Sequence, residues 1–156
     1  MKSKNSFKYD FYKIDDDYSF FSLQTIITKM KTEISKFTSK AEADTPEVIL
    51  DAETGKMSFI GRSIPENAVT FYKPIHEWVN NYAQSPLKNT EITFKLDYYN
   101  TASDKQIAKL MLAFENISEN NKLIIKWKYI KGDYEMMNDG TKYQELTSLN
   151  IKLIED

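Results

Sequence analysis

The sequence predicts an α/β fold in which helices pack against a mixed sheet of about five strands. Two segments, Ile92 to Tyr98 and Leu123 to Tyr129, alternate apolar and polar residues with the two-residue period of a strand. The first is followed by a segment with the apolar spacing of a helix, and the second by a polar segment that we also expect to be helical. Strands that alternate with helices are typical of α/β domains, in which crossovers between parallel strands are right-handed.

Residues 1–44 are predicted to form an N-terminal extension ahead of a domain at 45–156. Apolar residues spaced by three and four from Phe20 to Phe37 predict an amphipathic helix near residues 19–37. This narrow stripe fits a helix that packs on its own domain, and it also fits a helix that pairs with a second copy of the chain. A polar stretch before Pro46 indicates a linker.

The domain opens with β structure and then turns to helix. The segments Pro46–Ala52 and Lys56–Gly61, which flank a short turn, predict a hairpin. The spacing of Ser63 and Glu66 is that of a capping box, which predicts a helix start at Ser63. Pro74 removes an amide donor and should kink this helix or divide it into two.

The remaining elements complete the order ββαβαβαβ. Polar residues from Asn100 onward begin a helix directly after the strand that ends near Tyr98. A later helix should extend to about Leu146, interrupted by Gly140, and a final strand should follow at 149–153.

Composition excludes several classes of function. The 156 residues carry 21 Lys and Arg against 23 Asp and Glu, so the basic excess of a nucleic-acid-binding domain is missing. The chain has no cysteine, which excludes disulfides and thiolate chemistry. The N-terminus lacks the apolar stretch of a signal peptide and no run reaches membrane-spanning length. We therefore expect a cytoplasmic protein without membrane insertion.

The sequence gives little support for a metal-binding or nucleotide-binding site. There is one histidine, and the four glycines match neither the dinucleotide-binding nor the P-loop spacing. Asp133, Glu135 and Asp139 could hold a hard cation if Asp97 or Asp104 approached them. Carboxylates at a helix start more often complement the helix dipole, so we expect no metal and no cofactor.

The segment from Asn100 to Ser103 combines hydroxyl groups with a helix start at the end of a buried strand. Helix capping explains these residues well. A phosphate attached here would also be well placed, because it would lie near the positive end of the helix dipole and its free amides. The segment is therefore a candidate site of modification.

Four sequence segments follow one another in a specific order, and they are Gly61-Arg62-Ser63-Ile64-Pro65-Glu66-Asn67, then Phe71-Tyr72 with Trp78, then Tyr99-Asn100-Thr101-Ala102-Ser103, and Trp127-Lys128-Tyr129. Together they resemble the SiaC family of regulatory phosphoproteins, and the resemblance covers about Thr45 to Asp156. The resemblance implies a fold similar to STAS domains of the anti-anti-sigma type.

The resemblance also implies a function, that of a non-enzymatic partner-switching protein. Thr101 is then the phosphorylated residue, and Asn100, Ser103 and Asp104 belong to the partner-binding surface around it. A SiaB-like kinase and a SiaA-like phosphatase would control the modification. The unmodified form would bind and activate a diguanylate cyclase, in cyclic di-GMP signalling and biofilm control.

Two other hypotheses remain open from the residues. A STAS-like module could bind a small molecule near Trp78, Tyr98, Tyr99 and Trp127, unless these aromatics fill the core. A metal-dependent hydrolase would use the acidic cluster that begins at Asp133, and it ranks last.

Overall fold

The computed structural model describes residues 35–118 and 121–156. They form six strands and three helices. The elements are β1 (Lys36–Ser39), β2 (Glu47–Asp51), β3 (Lys56–Ser63), α1 (Ala68–Tyr82), β4 (Asn89–Tyr99), α2 (Thr101–Ser118), β5 (Lys122–Tyr129), α3 (Tyr134–Leu146) and β6 (Ile151–Glu155).

The strands lie in one sheet in their chain order, β1 to β6. β1, β2 and β3 are antiparallel neighbours, whereas β3, β4, β5 and β6 are parallel neighbours joined by α1, α2 and α3. Since the three crossovers advance in one direction, right-handed connections place all three helices on one face of the sheet. The carboxyl ends of β3, β4 and β5 therefore meet the amino ends of the helices at one edge, here called the carboxyl edge.

The core lies between this sheet face and the helices. Alternate residues of β4 and β5 are buried, as the two-residue period predicts. The Phe94 ring stacks on Phe59 with centroids 4.6 Å apart, and it contacts Trp127 at 5.4 Å. The Trp127 indole donates a hydrogen bond of 2.8 Å to the Met136 carbonyl, which fixes α3 on the sheet.

The predicted order of elements is confirmed from β2 onward, but the sheet has six strands instead of about five. β1 occupies the segment that was predicted as the end of a helix and the start of a linker. Phe37 pairs with Leu50 in register and packs against the core, which favours a strand there. The sheet thus begins before the predicted boundary at Thr45. The rest of the predicted helix, and its role in a dimer, fall on residues 1–34, outside the described residues.

The predicted helix start at Ser63 is wrong. Ser63 is the last residue of β3, and α1 begins at Ala68. Asn67 caps this helix by accepting a hydrogen bond of 3.0 Å from the Thr70 amide. The reason is Pro65, because a residue that precedes proline is disfavoured in the helical conformation.

Neither Pro74 nor Gly140 divides its helix. α1 runs continuously through Pro74, with a buried face that packs it on the core. α3 runs continuously through Gly140, which is buried. A Cβ atom at Gly140 would lie 2.5 Å from side-chain atoms of Trp127 and Leu153, so glycine permits the close approach of α3 to the sheet. Its role is in packing and not in ending the helix.

Candidate functional site

Thr101 is the first residue of α2 and lies at the carboxyl edge, two residues after Tyr99, the last residue of β4. Its side chain is exposed to solvent. Another protein can therefore reach the hydroxyl group, as a phosphorylation site requires. The position also lies at the positive end of the α2 dipole.

Asn100 holds the turn from which Thr101 projects. Its side-chain oxygen accepts a hydrogen bond of 2.9 Å from the Ser103 amide, which is the bond of a helix cap. Its own amide donates to the Ser63 carbonyl at 3.2 Å, so the turn is also joined to the end of β3. Both ends of the short Asn100–Ser103 segment are thereby held in place.

A chain of three buried hydroxyl groups, here called the hydroxyl chain, lies beneath this turn. The Ser63 hydroxyl donates to Ser103 at 2.9 Å and lies 2.7 Å from the Tyr72 hydroxyl. Since Ser63 has a single proton, Tyr72 is the donor of the second bond. Burial raises the pKa of Tyr72 to about 12, which keeps its proton in place. The hydroxyl chain joins α1, β3 and α2.

This arrangement changes the role predicted for Ser103. Its side chain is completely buried, so it does not offer its hydroxyl to a partner at the surface. It positions the turn through Ser63 instead. Asn100 and Asp104 are half-buried and remain accessible beside Thr101.

On the other side of the turn, charged and phenolic groups from three elements form the carboxylate cluster. It consists of Tyr99, Asp104, Asp139, Lys142 and Tyr143. The Tyr143 hydroxyl donates to Asp104 at 2.6 Å, and the Tyr99 hydroxyl donates to Asp139 at 2.5 Å. The Lys142 ammonium lies 3.2 Å from Asp104 and 3.9 Å from Asp139. The cluster joins α2 to α3.

The two phenols of the carboxylate cluster remain protonated. Burial, followed by the hydrogen bond to Asp139, raises the pKa of Tyr99 far above its usual value. The same two causes, with Asp104 as the acceptor, raise the pKa of Tyr143. Both side chains therefore act as hydrogen-bond donors to the carboxylates at neutral pH.

Three of the acidic residues considered for metal binding, Asp104, Asp133 and Asp139, have other partners. Asp133 caps α3 by accepting a hydrogen bond of 3.0 Å from the Met136 amide, and Asp139 belongs to the carboxylate cluster. Within residues 35–118 and 121–156, no group of three or more such side chains is placed to hold a metal ion.

The four aromatic residues considered for a small-molecule pocket have different environments. Trp127 is completely buried among core rings, and Trp78 is buried where it stacks on Tyr82. Tyr98, in contrast, is 53% exposed. A cleft of about 270 Å³ lies at the opposite edge of the sheet and is lined by other residues, among them Gly55, Asn89 and Lys122.

Three exposed side chains with large apolar parts lie at the carboxyl edge. Tyr98 precedes it on β4, Ile130 follows β5 and is 57% exposed, and Tyr134, the first residue of α3, is 70% exposed. Exposed apolar groups of this size are common where a protein binds a partner. They add contact area near Thr101.

Several residues of the site were not predicted from the sequence. Ser63 was interpreted as a helix cap, and nothing local indicated that its hydroxyl meets Tyr72 and Ser103. Lys142 and Tyr143 contact Asp104, although they are 38 and 39 positions away in the sequence.

In the part of the chain that the structure describes, no helix is long and apolar enough to cross a membrane.

Comparison with known proteins adds independent findings. The sequence model of the family described as "SiaC family regulatory phosphoprotein" matches residues 39–156. The crystal structure of apo-SiaC from Pseudomonas aeruginosa is similar with a TM-score of 0.70 and 21% identity, over 77% of this chain and 98% of that one.

Two further relatives come from the same species. The SiaC chain in a crystal structure of the diguanylate cyclase SiaD with its activator SiaC is similar with a TM-score of 0.72 and 20% identity, over 77% of this chain and 99% of that one. An uncharacterized protein from strain UCBPP-PA14 is 22% identical over 102 residues, which are 65% of this chain and 81% of the relative. At these identities the solved structures establish the fold alone.

Proposed function

The chain belongs to the SiaC family of regulatory phosphoproteins, and we propose that it is a non-enzymatic regulator whose binding to a diguanylate cyclase is switched off by phosphorylation of Thr101. The observation that carries this proposal is the exposure of Thr101 at the first position of α2. The structure of the SiaC relative with its cyclase supports the choice of partner.

The fold can accept a phosphate at Thr101 without rearrangement of the core. The modification adds about −1.5 to −2 charge at neutral pH. Because Thr101 is exposed at the amino end of an 18-residue helix, the added charge remains hydrated and meets the positive end of the dipole. The hydroxyl chain and the Asn100 cap hold the turn below. Phosphorylation should therefore change the surface and leave the fold intact.

The same charge would be costly in an interface. The unmodified Thr101 side chain is itself neutral, and the carboxyl edge also carries the exposed side chains of Tyr98, Ile130 and Tyr134. Burial of this added negative charge against a binding partner that supplies no cation costs about 2 to 5 kcal/mol, or roughly 30-fold to several thousand-fold in affinity. The dipole contributes only about 0.3 to 1 kcal/mol to the modified monomer, which does not offset that cost.

A complete switch also needs enzymes that add and remove the phosphate. The family resemblance implies a SiaB-like kinase and a SiaA-like phosphatase. Accessibility of the Thr101 hydroxyl at the edge of the domain supports both reactions, because a transferase and a hydrolase must each approach the same atom.

The experiment is a titration of the full chain against its candidate diguanylate cyclase by calorimetry. Thr101→Glu and the phosphorylated protein should bind at least about 30-fold more weakly than the unmodified protein, whereas Thr101→Ala should still bind. Thr54→Glu is the matched control, since Thr54 is also exposed but lies in the turn between β2 and β3 at the opposite edge.

A second measurement locates the modification. The protein is incubated with the candidate kinase, and the phosphate is mapped by mass spectrometry with Thr101→Ala as the control. Equal binding by the phosphorylated and unmodified proteins would contradict the switch, and phosphate at a residue other than 101 would contradict the site.

A further inference from the structure

Asp104 lies one helical turn after Thr101 on α2, so the two side chains are neighbours on the helix surface. Both Lys142 distances to the Asp104 carboxylate oxygens are short, 3.2 and 3.3 Å. The Lys142 ammonium is therefore an ordered cation from α3 that contacts the carboxylate one helical turn after Thr101.

Neither carboxylate depends on Lys142 alone. Asp104 also accepts the Tyr143 hydroxyl at 2.6 Å, and Asp139 also accepts the Tyr99 hydroxyl at 2.5 Å. Both carboxylates are partly open to water, with 31% and 36% of their side chains exposed. The ammonium can leave without stranding a buried charge.

We propose that Lys142 is the cation that pairs with a phosphate on Thr101, moving from Asp104 to the phosphate when the site is modified. This inference rests on the proposed function, because it assigns the residue that responds to the modification. The phosphate carries about −1.5 to −2 charge against −1 for the carboxylate, so it attracts the ammonium more strongly. The same charge repels Asp104, one turn away.

Other cations occur near this edge. Lys105 lies four residues after Thr101, a spacing that also permits an ion pair, and Arg62 is exposed at the end of β3. Lys142 differs from Lys105 because it is already ordered by two carboxylates and by the face of Tyr143, 5.1 Å from the ring centroid. Ordering the exposed Lys105 would cost additional side-chain entropy.

The exchange would extend the effect of the modification beyond one residue. Asp104 would lose its ammonium partner beside a new phosphate, so the start of α2 would carry two adjacent negative groups. Lys142 would connect the phosphate to α3. A partner at the carboxyl edge would therefore meet a changed α2–α3 surface as well as the phosphate itself.

The test is a pH titration of the full chain carrying phosphothreonine at position 101, followed by ³¹P NMR. The second pKa of the phosphate is about 6 when unperturbed. We expect Lys142→Met to raise it by roughly 0.15 to 0.7 unit relative to the unsubstituted phosphoprotein, because the dianion loses its cation. Lys105→Met should shift it by less than half as much.

A larger shift for Lys105→Met than for Lys142→Met would overturn the proposal, and so would no shift in either. If Lys142→Met does not fold, Lys142→Gln gives the same comparison. Asp104→Asn provides an opposite change, since it removes the competing negative charge and should lower the phosphate pKa. An unchanged or raised value in Asp104→Asn would also count against the exchange.

This titration needs neither a kinase nor a cyclase, so a failure of the ion-pair proposal can be distinguished from a failure of the proposed switch. Loss of cyclase binding on phosphorylation in both the unsubstituted and Lys142→Met proteins would support the switch whatever the phosphate pKa shows. If Lys142→Met raises the phosphate pKa as expected but phosphorylation leaves cyclase binding unchanged, the ion pair is supported and the switch is rejected.

Discussion

The turn that carries Thr101 is held differently on its two sides. Toward α1, the hydroxyl chain of Tyr72, Ser63 and Ser103 is neutral and completely buried. Toward α3, the carboxylate cluster is charged and partly open to water. The buried hydroxyl groups have no other hydrogen-bond partner available, whereas the charged groups that water can reach can exchange one ionic partner for another. The α1 side therefore provides rigidity, and the α3 side can respond to a new charge.

The largest loss of stability is expected from removing a hydroxyl group of the buried hydroxyl chain. Ser63→Ala leaves the Tyr72 and Ser103 hydroxyls without their partner in the core, which should lower the free energy of unfolding by about 1 to 3 kcal/mol. Urea denaturation measures the loss. Ser58→Ala is the matched control, because it makes the same change on β3 at a half-buried position. Equal losses in the two variants would show that the hydroxyl chain adds no stability.

A smaller effect is expected from the phenol on the charged side. Tyr143→Phe removes the 2.6 Å hydrogen bond to Asp104, but the carboxylate keeps Lys142 and water. The free energy of unfolding should fall by about 1 kcal/mol. Tyr134→Phe makes the same change on α3 at a residue that is 70% exposed, and it should have no effect. If Tyr143→Phe lowered the free energy of unfolding more than Ser63→Ala does, the claim that the buried side provides the rigidity would be contradicted.

Lys142→Met should have a still smaller effect on stability. Its ion pairs are partly exposed, and such pairs contribute about 0.2 to 1 kcal/mol. The loss should shrink further in 1 M salt, because salt screens accessible charges. The Ser63→Ala loss should be unchanged by the same salt. Thermal unfolding at low and high salt tests this contrast, and a salt-independent Lys142 effect would be inconsistent with it.

The smallest effect concerns pH and the α1–α2 contact. His76 is half-buried and lies 3.1 Å from the Gln106 side chain, and burial lowers the pKa of this histidine below 6.5. The unfolded chain therefore binds the proton first, so stability should fall as pH decreases from 7 through 6.5 toward the folded pKa. His76→Gln should flatten this dependence in urea denaturation between pH 7.5 and 5.5. An identical slope in both proteins would show that His76 does not contribute.

The sequence predicted much of the fold because the relevant signals are local. The two-residue period of β4 and the apolar spacing of α2 depend on near neighbours, as does the strand-to-helix junction at Asn100. Those patterns placed Thr101 at the start of a helix without any knowledge of tertiary contacts. β1 was missed because four residues carry too little periodicity to distinguish a strand from the end of a helix.

Only the tertiary structure decided which residues near the β4–α2 junction are buried and which are exposed. Ser103 looked equivalent to Thr101 in the sequence, yet it is buried against Ser63 while Thr101 is exposed. Lys142 contacts Asp104 because the fold brings α3 within side-chain reach of α2, and no local sequence pattern indicates a contact between residues 38 positions apart. Local periodicity determines which elements form, whereas packing determines which of their polar groups meet and which remain accessible to another protein.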